Sequence, residues 1–280
     1  MKIANNLIVT FFLIVLLIPS ESIKTYSNMK IGFFHAVTLL PDIKYGNNNK
    51  QALDIFIPSG KGKFPVMFFV HGGAWSSGDR YMYRDGGYFY AKNGYITVII
   101  DHQLSPNVKH PEHIKDVAKA FSWVKKNISF YRGDSEKIYI CGHSSGSHLV
   151  TLLASNKKYL ENEDSNIKDI KGVIAISGIY KIGINVDIAG YKHVFPTIED
   201  KYDASPINFI NKDMPPFLIL YAECDLLTFP RQSIDLHNIL KNKGIKSEIH
   251  CVKGKDHSTI LLSAIKQDSD TAKTILNFMK

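Results

Sequence analysis

Gly142-His143-Ser144-Ser145-Gly146 is the pentapeptide on which the reading of this chain depends. It follows the apolar run Ile138 to Cys141 and precedes a helical run containing His148, Leu149, Val150, Leu152 and Leu153, so a serine stands at a strand-to-helix turn. The pattern is G-x-S-x-G, and its reason is steric. A serine forced onto so tight a turn needs glycines on either side so that neighbouring backbone can pass close, and its hydroxyl is then presented above the sheet. Composition alone yields such a pentapeptide in about one in ten chains of this length. The strand before it and the helix after it make chance much rarer, and Ser144 becomes the candidate nucleophile.

Outward from this turn, Pro65 to Val70 (PVMFFV), Tyr95 to Ile100 (YITVII), Val173 to Ser177 (VIAIS) and Phe217 to Ala222 (FLILYA) are also continuous apolar runs. Such strands are buried on both faces, as in a parallel sheet. Gln51 to Pro58 differs: Leu53, Ile55 and Ile57 fall on one side, which predicts a half-buried strand near a sheet edge. Helical periodicity places Ile114, Val117, Phe121 and Val124 on one face of Glu112 to Asn127. Further helices are predicted from Gln232 to Lys243, stopping at Gly244, and from Thr271 to Met279. Strands alternating with helices predict right-handed βαβ units: a single α/β domain over residues 23–280, with a mostly parallel central sheet and helices on both faces. Gly178 to Asp213 breaks the rhythm and reads either as a small cap or lid over a site or as an ordinary surface excursion.

A serine hydroxyl is a poor nucleophile until a histidine takes its proton and a carboxylate holds that histidine in the right tautomer. Asp225 follows the strand Phe217 to Ala222, at the carboxyl end where sites form in open parallel sheets. His257 lies in Gly254-Lys255-Asp256-His257, just after the strand-like run Ser247 to Val252. Glu223 is a rival acid and Asp256 abuts the histidine; Asp225 is preferred because it stands beyond the strand end with room to turn. The other histidines read as structural. His71-Gly72-Gly73-Ala74-Trp75 follows the strand Pro65 to Val70, and its small residues let backbone N–H groups point into a site, as an oxyanion requires. Trp75, Tyr81, Tyr83, Phe89 and Tyr90 lie close to this loop in sequence, as pocket lining or as helix packing.

Composition narrows the alternatives. The chain has 280 residues, 45% hydrophobic and 21% charged, which excludes disorder and low complexity. Its net charge of +8 comes from scattered lysines and arginines instead of a stripe interleaved with aromatics, so nucleic-acid binding is not indicated. The three cysteines, Cys141, Cys224 and Cys251, signal neither a disulfide framework nor a zinc site. Each is expected in an apolar, strand-like run, as a buried free thiol or with Cys224 and Cys251 bridged. Lys2, the apolar run Leu7 to Ile18, Pro19 and the small residues Ser20 and Ser22 form the layout of a signal peptide over residues 1–22. Export, to a secreted or periplasmic location, is the expectation, with anchoring by an uncleaved segment as the alternative. The run is short for a membrane span, and no obligatory membrane contact is expected of the mature form.

Four segments in this order, HGGAW, GHSSG, the acid of AECD and the histidine of GKDH, resemble the α/β hydrolase superfamily. The likeness is to its carboxylesterase branch, which includes hormone-sensitive-lipase-like esterases, kynurenine formamidase and isoprenylcysteine methylesterase. It extends from about Tyr45 to the C-terminus. The resemblance implies Ser144 as nucleophile, His257 as base and then acid, and Asp225 as orienter. It also implies the backbone amides of Gly73, Ala74 and Ser145 as oxyanion donors, with His71 bracing the loop and Gly72 and Trp75 in support. The implied activity is hydrolysis of small carboxylic esters through an acyl-enzyme, with neither metal nor organic cofactor. Aryl formamides or methyl esters of a lipidated cysteine are alternative substrates, and a catalytically silent binding protein is the alternative of another class. Asp101-His102-Gln103-Leu104-Ser105-Pro106 departs from the usual Tyr-Arg-Leu-Ser-Pro, which bears on the packing beneath the oxyanion loop.

Overall fold

A strand whose side chains are all apolar needs cover on both faces, and the central strands receive it. The computed structural model describes residues 37–183, 186–187, 189–228 and 230–280; the expected signal peptide lies outside them. Among the described residues eight strands form one open sheet: β1 (Val37–Lys44), β2 (Ala52–Pro58), β3 (Phe64–Val70), β4 (Ile96–Ile100), β5 (Gly133–His143), β6 (Ile170–Ile176), β7 (Phe217–Ala222) and β8 (Ser247–Val252). Their spatial order is β1-β2-β4-β3-β5-β6-β7-β8. β2 runs antiparallel to β1 and β4, and every pair from β4 through β3 to β8 is parallel. The carboxyl ends of β3, β5, β7 and β8 therefore share one edge.

The main helices are α1 (Arg84–Lys92), α2 (Glu112–Asn127), α3 (Ser145–Ser155), α4 (Pro230–Asn242), α5 (Thr259–Ala264) and α6 (Asp270–Phe278). Alternate residues of β3 sort the core in two. Val66, Phe68 and Val70 pack with α2, α3 and α4, while Met67 and Phe69 pack with α1, α5 and α6. Ile114, Val117, Phe121 and Val124 of α2 are all buried, and Phe121 meets Phe68 edge-on at 5.8 Å. Burying each such side chain contributes about 1.5–3 kcal/mol. α4 stops where the sequence placed its end, before Gly244 at φ +77°.

The structure corrects two expectations, the exposure of β2 and the placement of the cysteines. β2 is buried on both faces, because Phe56 lies under Tyr88 of α1 and Asp54 receives Arg80 and Arg84. β1, whose mixed polar sequence gave no periodic signal, covers its outer edge. Cys224 is exposed on a turn past β7, not in a strand; Cys141 is buried, Cys251 is half-buried, and all three are free thiols. As for Gly178 to Asp213, its inner side belongs to the core: Tyr180, Val194, Phe195 and Ala204 are buried there. Asp203 fastens it by accepting from His110 Nε2 at 2.9 Å, the Tyr159 hydroxyl at 2.5 Å and the Lys158 ammonium. No helix among the described residues is long and apolar enough to cross a membrane.

Candidate active site

Ser144 stands between β5 and α3 with φ 56° and ψ −122°, a conformation costly for any side chain and held here by its surroundings. Its N–H donates to the Ile176 carbonyl at 2.9 Å. A Cβ at Gly142 would strike the Gly146 carbonyl, and one at Gly146 would strike the carbonyl of Val70, so both glycines are steric necessities.

The loops after β7 and β8 bring the other two residues to this serine. His257 Nε2 lies 2.9 Å from Ser144 Oγ, and His257 Nδ1 lies 3.0 Å from Asp225 Oδ2. With Nδ1 donating to the carboxylate, Nε2 is left to accept the serine proton. Asp225 Oδ1 accepts the N–H groups of Leu227 and Thr228, and Oδ2 accepts the Thr228 hydroxyl at 2.8 Å. Burial pushes the Asp225 carboxyl up, but the bonds from His257 and Thr228 outweigh it and hold the acid below the usual carboxylate range. Glu223 turns away to receive Lys253 Nζ and the Gly254 N–H, and Asp256 caps its own turn through Ser258 and Thr259. Of the three carboxylates weighed, Asp225 alone meets the histidine.

His143 is a neighbour that sequence reasoning missed. Its Nε2–H donates to the His257 carbonyl at 2.8 Å, and the two rings are 4.7 Å apart. Burial, with the His257 charge second, pulls its pKa down to about 3, so the ring is a neutral prop. It occupies the variable second position of G-x-S-x-G, which no pattern distinguishes.

On the other side, the loop after β3 curls over Ser144. Gly73, Ala74 and Trp75 have φ of 126°, 52° and 59°, and a Cβ at Gly72 would sit 3.0 Å from Ser144 Cβ. The Gly73 carbonyl accepts from Ser76 and Ser77 N–H, closing the turn. Among the described residues no acceptor faces the amides of Gly73, Ala74 and Ser145, which leaves all three available as donors. Trp75 is buried: its Nε1–H donates to His148 Nδ1 at 3.1 Å, and His148 Nε2–H donates to the Ala204 carbonyl at 2.6 Å. That relay ties the loop to α3 and to the long excursion, where Phe195 meets Trp75 edge-on.

His71 donates from Nδ1 to its neighbour's carbonyl, Gly72 O, at 2.7 Å, and stacks on His102 at 4.6 Å. Asp101 accepts the Arg80 N–H at 2.7 Å and the Arg80 guanidinium, which also reaches Asp54 at 2.8 Å and Asp42. Asp54, Asp101 and Arg80 are all buried. Arg80, in the short 3-10 turn that follows the loop after β3, is the cation these carboxylates share, and no sequence pattern announced it. Of the aromatic residues weighed as pocket lining, Trp75 is core and Tyr81 lies against Arg80 and Arg84. Phe89 packs edge-on against Tyr90, and Tyr83 and Tyr90 line a cavity. Among the described residues no group of three or more His, Cys, Asp or Glu is placed to hold a metal.

The sequence is 28% identical over 260 residues to the esterase LipQ of Mycobacterium tuberculosis, covering 85% of this chain and 61% of that protein. It is 27% identical over 251 residues to an isoprenylcysteine alpha-carbonyl methylesterase of Arabidopsis thaliana, covering 82% and 59%. The chain thus spans about three fifths of the length of these curated relatives. A truncated carbohydrate esterase from gut microbiota superposes with TM-score 0.76 at 23% identity, over 86% of this chain and 95% of the other. Esterase B of Lactobacillus rhamnosis does so with TM-score 0.80 at 17% identity, over 100% and 96%, and both show the shared fold. The BD-FAE family profile matches residues 53–240, from β2 through the Ser144 turn into α4. With well over half of its length inside that match and an open, mostly parallel sheet to carry it, the chain belongs to the BD-FAE family of the α/β hydrolases.

Proposed function

We propose that the chain is a serine hydrolase of small carboxylic esters. The observation that carries this reading is the unbroken chain Ser144 Oγ, His257 Nε2, His257 Nδ1, Asp225 Oδ2, with both links at hydrogen-bond length. His257 takes the Ser144 proton as Oγ attacks the ester carbonyl, and Asp225 stabilises the imidazolium that forms. The negative charge on the carbonyl oxygen develops toward the amides of Gly73, Ala74 and Ser145. Collapse expels the alcohol, which takes the proton from His257 and leaves an acyl group on Ser144. Water, deprotonated through the same histidine, releases the acid and restores the serine. None of these steps calls for a metal or an organic cofactor.

The similarity to LipQ supports ester substrates in general. The similarity to the Arabidopsis methylesterase favours a second reading with the same chemistry, the methyl ester of a lipidated cysteine. An export signal over residues 1–22 belongs to the proposal, and N-terminal sequencing of protein recovered outside the cytoplasm would find Ile23 first. The deciding experiment is turnover of p-nitrophenyl esters together with mass spectrometry after a fluorophosphonate. Turnover with the phosphonyl group on Ser144 is expected. A labelled Ser144 without ester turnover would turn the reading toward the lipidated-cysteine substrate, and an intact, unlabelled Ser144 in folded protein would overturn it in favour of a silent binding protein.

A further inference from the structure

Behind the catalytic residues, between α1, α5 and the sheet, lies a cavity of about 340 Å³. Its size falls in the range of pockets that hold small ligands, and it is far larger than the voids that packing normally leaves. Met67, Phe69, Ile99, Cys141 and Ile176 form its inner wall. Met82 and Leu262, exposed to 73% and 63%, also line it, so its mouth is an apolar rim open to solvent. Deep in the wall the polar groups are mostly engaged: the Tyr90 hydroxyl donates to the Ala264 carbonyl at 2.8 Å, Thr97 to the Tyr95 carbonyl at 3.5 Å, His143 Nε2–H to the His257 carbonyl at 2.8 Å, and the Tyr83 oxygen accepts the Gly72 N–H at 3.1 Å, while Asp85 and Ser258 stand at exposed positions. A sugar or a hydroxylated ring would leave most of its hydroxyls unpaired against the apolar inner wall, whereas a plain hydrocarbon needs no partner. The cavity also adjoins the chemistry. His143 and Ser258, neighbours in the chain of Ser144 and His257, belong to its lining.

We propose that this cavity is the hydrocarbon subsite of the enzyme, receiving an aliphatic chain of the ester on either its acyl or its alcohol side. The assignment rests on the esterase reading above and names the substrate class that the site selects. Gly86 gives a clean way to close the cavity. It lines the cavity from α1, and a Cβ there would meet only Ile265 Cγ2 at an ordinary 3.6 Å. Gly86→Ala narrows the space slightly and Gly86→Leu fills it, with no catalytic residue touched.

The test is kcat/KM for p-nitrophenyl acetate through decanoate, and for the acetate esters of ethanol through decanol, in the parent and both variants, with melting temperature as the check on folding. In whichever series reaches the cavity, the parent gains with chain length, and Gly86→Leu loses about tenfold or more on the octyl member. The two-carbon substrate stays within about twofold, because its transition state makes no use of the cavity. Gly86→Ala falls between the two, and remains informative if the leucine variant does not fold. Identical chain-length profiles in parent and folded variants would overturn the subsite and leave the esterase reading intact. If no ester is turned over at all, the esterase reading fails by itself, and calorimetric titration with 1-decanol decides the cavity. Binding that Gly86→Leu abolishes sustains it as a hydrocarbon site, and absence of binding in the parent overturns it.

Discussion

On the Ser144 side of the site, a serine, a histidine and an acid on three separate loops touch through two hydrogen bonds, and the His257 side chain keeps 13% of its surface in water. On the His71 side, Arg80, Asp54 and Asp101 are locked together near the loop after β3, the proposed oxyanion loop, each of them buried. On the proposed reading the first group moves a proton, and of its three residues only Asp225 also holds a turn, through Leu227 and Thr228. The second moves nothing and holds a loop whose successive residues sit at positive φ. The two sides should therefore fail in different currencies, rate on one and stability on the other.

Ser144→Ala tests that separation most severely. It should lower kcat by about 10⁶-fold, by analogy with nucleophile removal in serine hydrolases, since the remaining groups lose their common object. The melting temperature should hardly move, because alanine inherits the same φ without new strain. A large fall in melting temperature would break the contrast. Asp225→Asn comes next, with a loss of about 10⁴-fold, because the amide no longer holds His257 in the tautomer that accepts the serine proton. Steady-state kinetics on p-nitrophenyl acetate reads both.

Arg80→Met carries the contrast to the other wall. It leaves Asp54 and Asp101 buried without their shared cation, apart from the half-buried Arg84 on Asp54, and should cost about 3–5 kcal/mol in urea unfolding. A shift below about 1 kcal/mol would mean that water reaches the two carboxylates and that the network is not the brace of the oxyanion loop.

The same contrast explains what was legible in the sequence. Ser144, Asp225 and His257 could be found because each sits where a strand stops, and strand ends follow from apolar runs. Gly142 and Gly146 could be found because only glycine fits there. Arg80 could not: its partners are Asp54 in β2 and Asp101 just past the end of β4, brought together only once those strands pair, and nothing local distinguishes Arg80 from a surface arginine. His143 and His148 were hidden for a related reason. Each bonds to a carbonyl far along the chain, His257 O and Ala204 O, and a carbonyl leaves no mark in the sequence. β2 was misread as half-buried because its polar Asp54 looked like a solvent-facing position, and a buried ion pair has the same alternation as a wet face.

The smallest effect sharpens the comparison on the oxyanion side by pH. Burial pulls His148 down to about 3 and His113 to about 4, each against about 6.5 in the unfolded chain. Between those limits the unfolded chain binds protons that the folded one refuses, so stability rises with pH there. It is complete above about pH 6.5 and falls as the pH drops toward 4, each such histidine adding ~1 kcal/mol per pH unit. Asp225, held below its ordinary value, adds its own loss only when the pH falls below that value. His148→Gln separates one histidine from the rest. Its side-chain oxygen can accept from Trp75 Nε1 and its amide can donate to the Ala204 carbonyl, so both bonds persist without a titrating ring. Urea midpoints at pH 7.5 and 5 should then lie closer together in the variant than in the parent by the contribution of one proton. An unchanged gap would show that His148 takes up its proton in the folded state, and that the tie between Trp75 and Ala204 survives a charge at its centre.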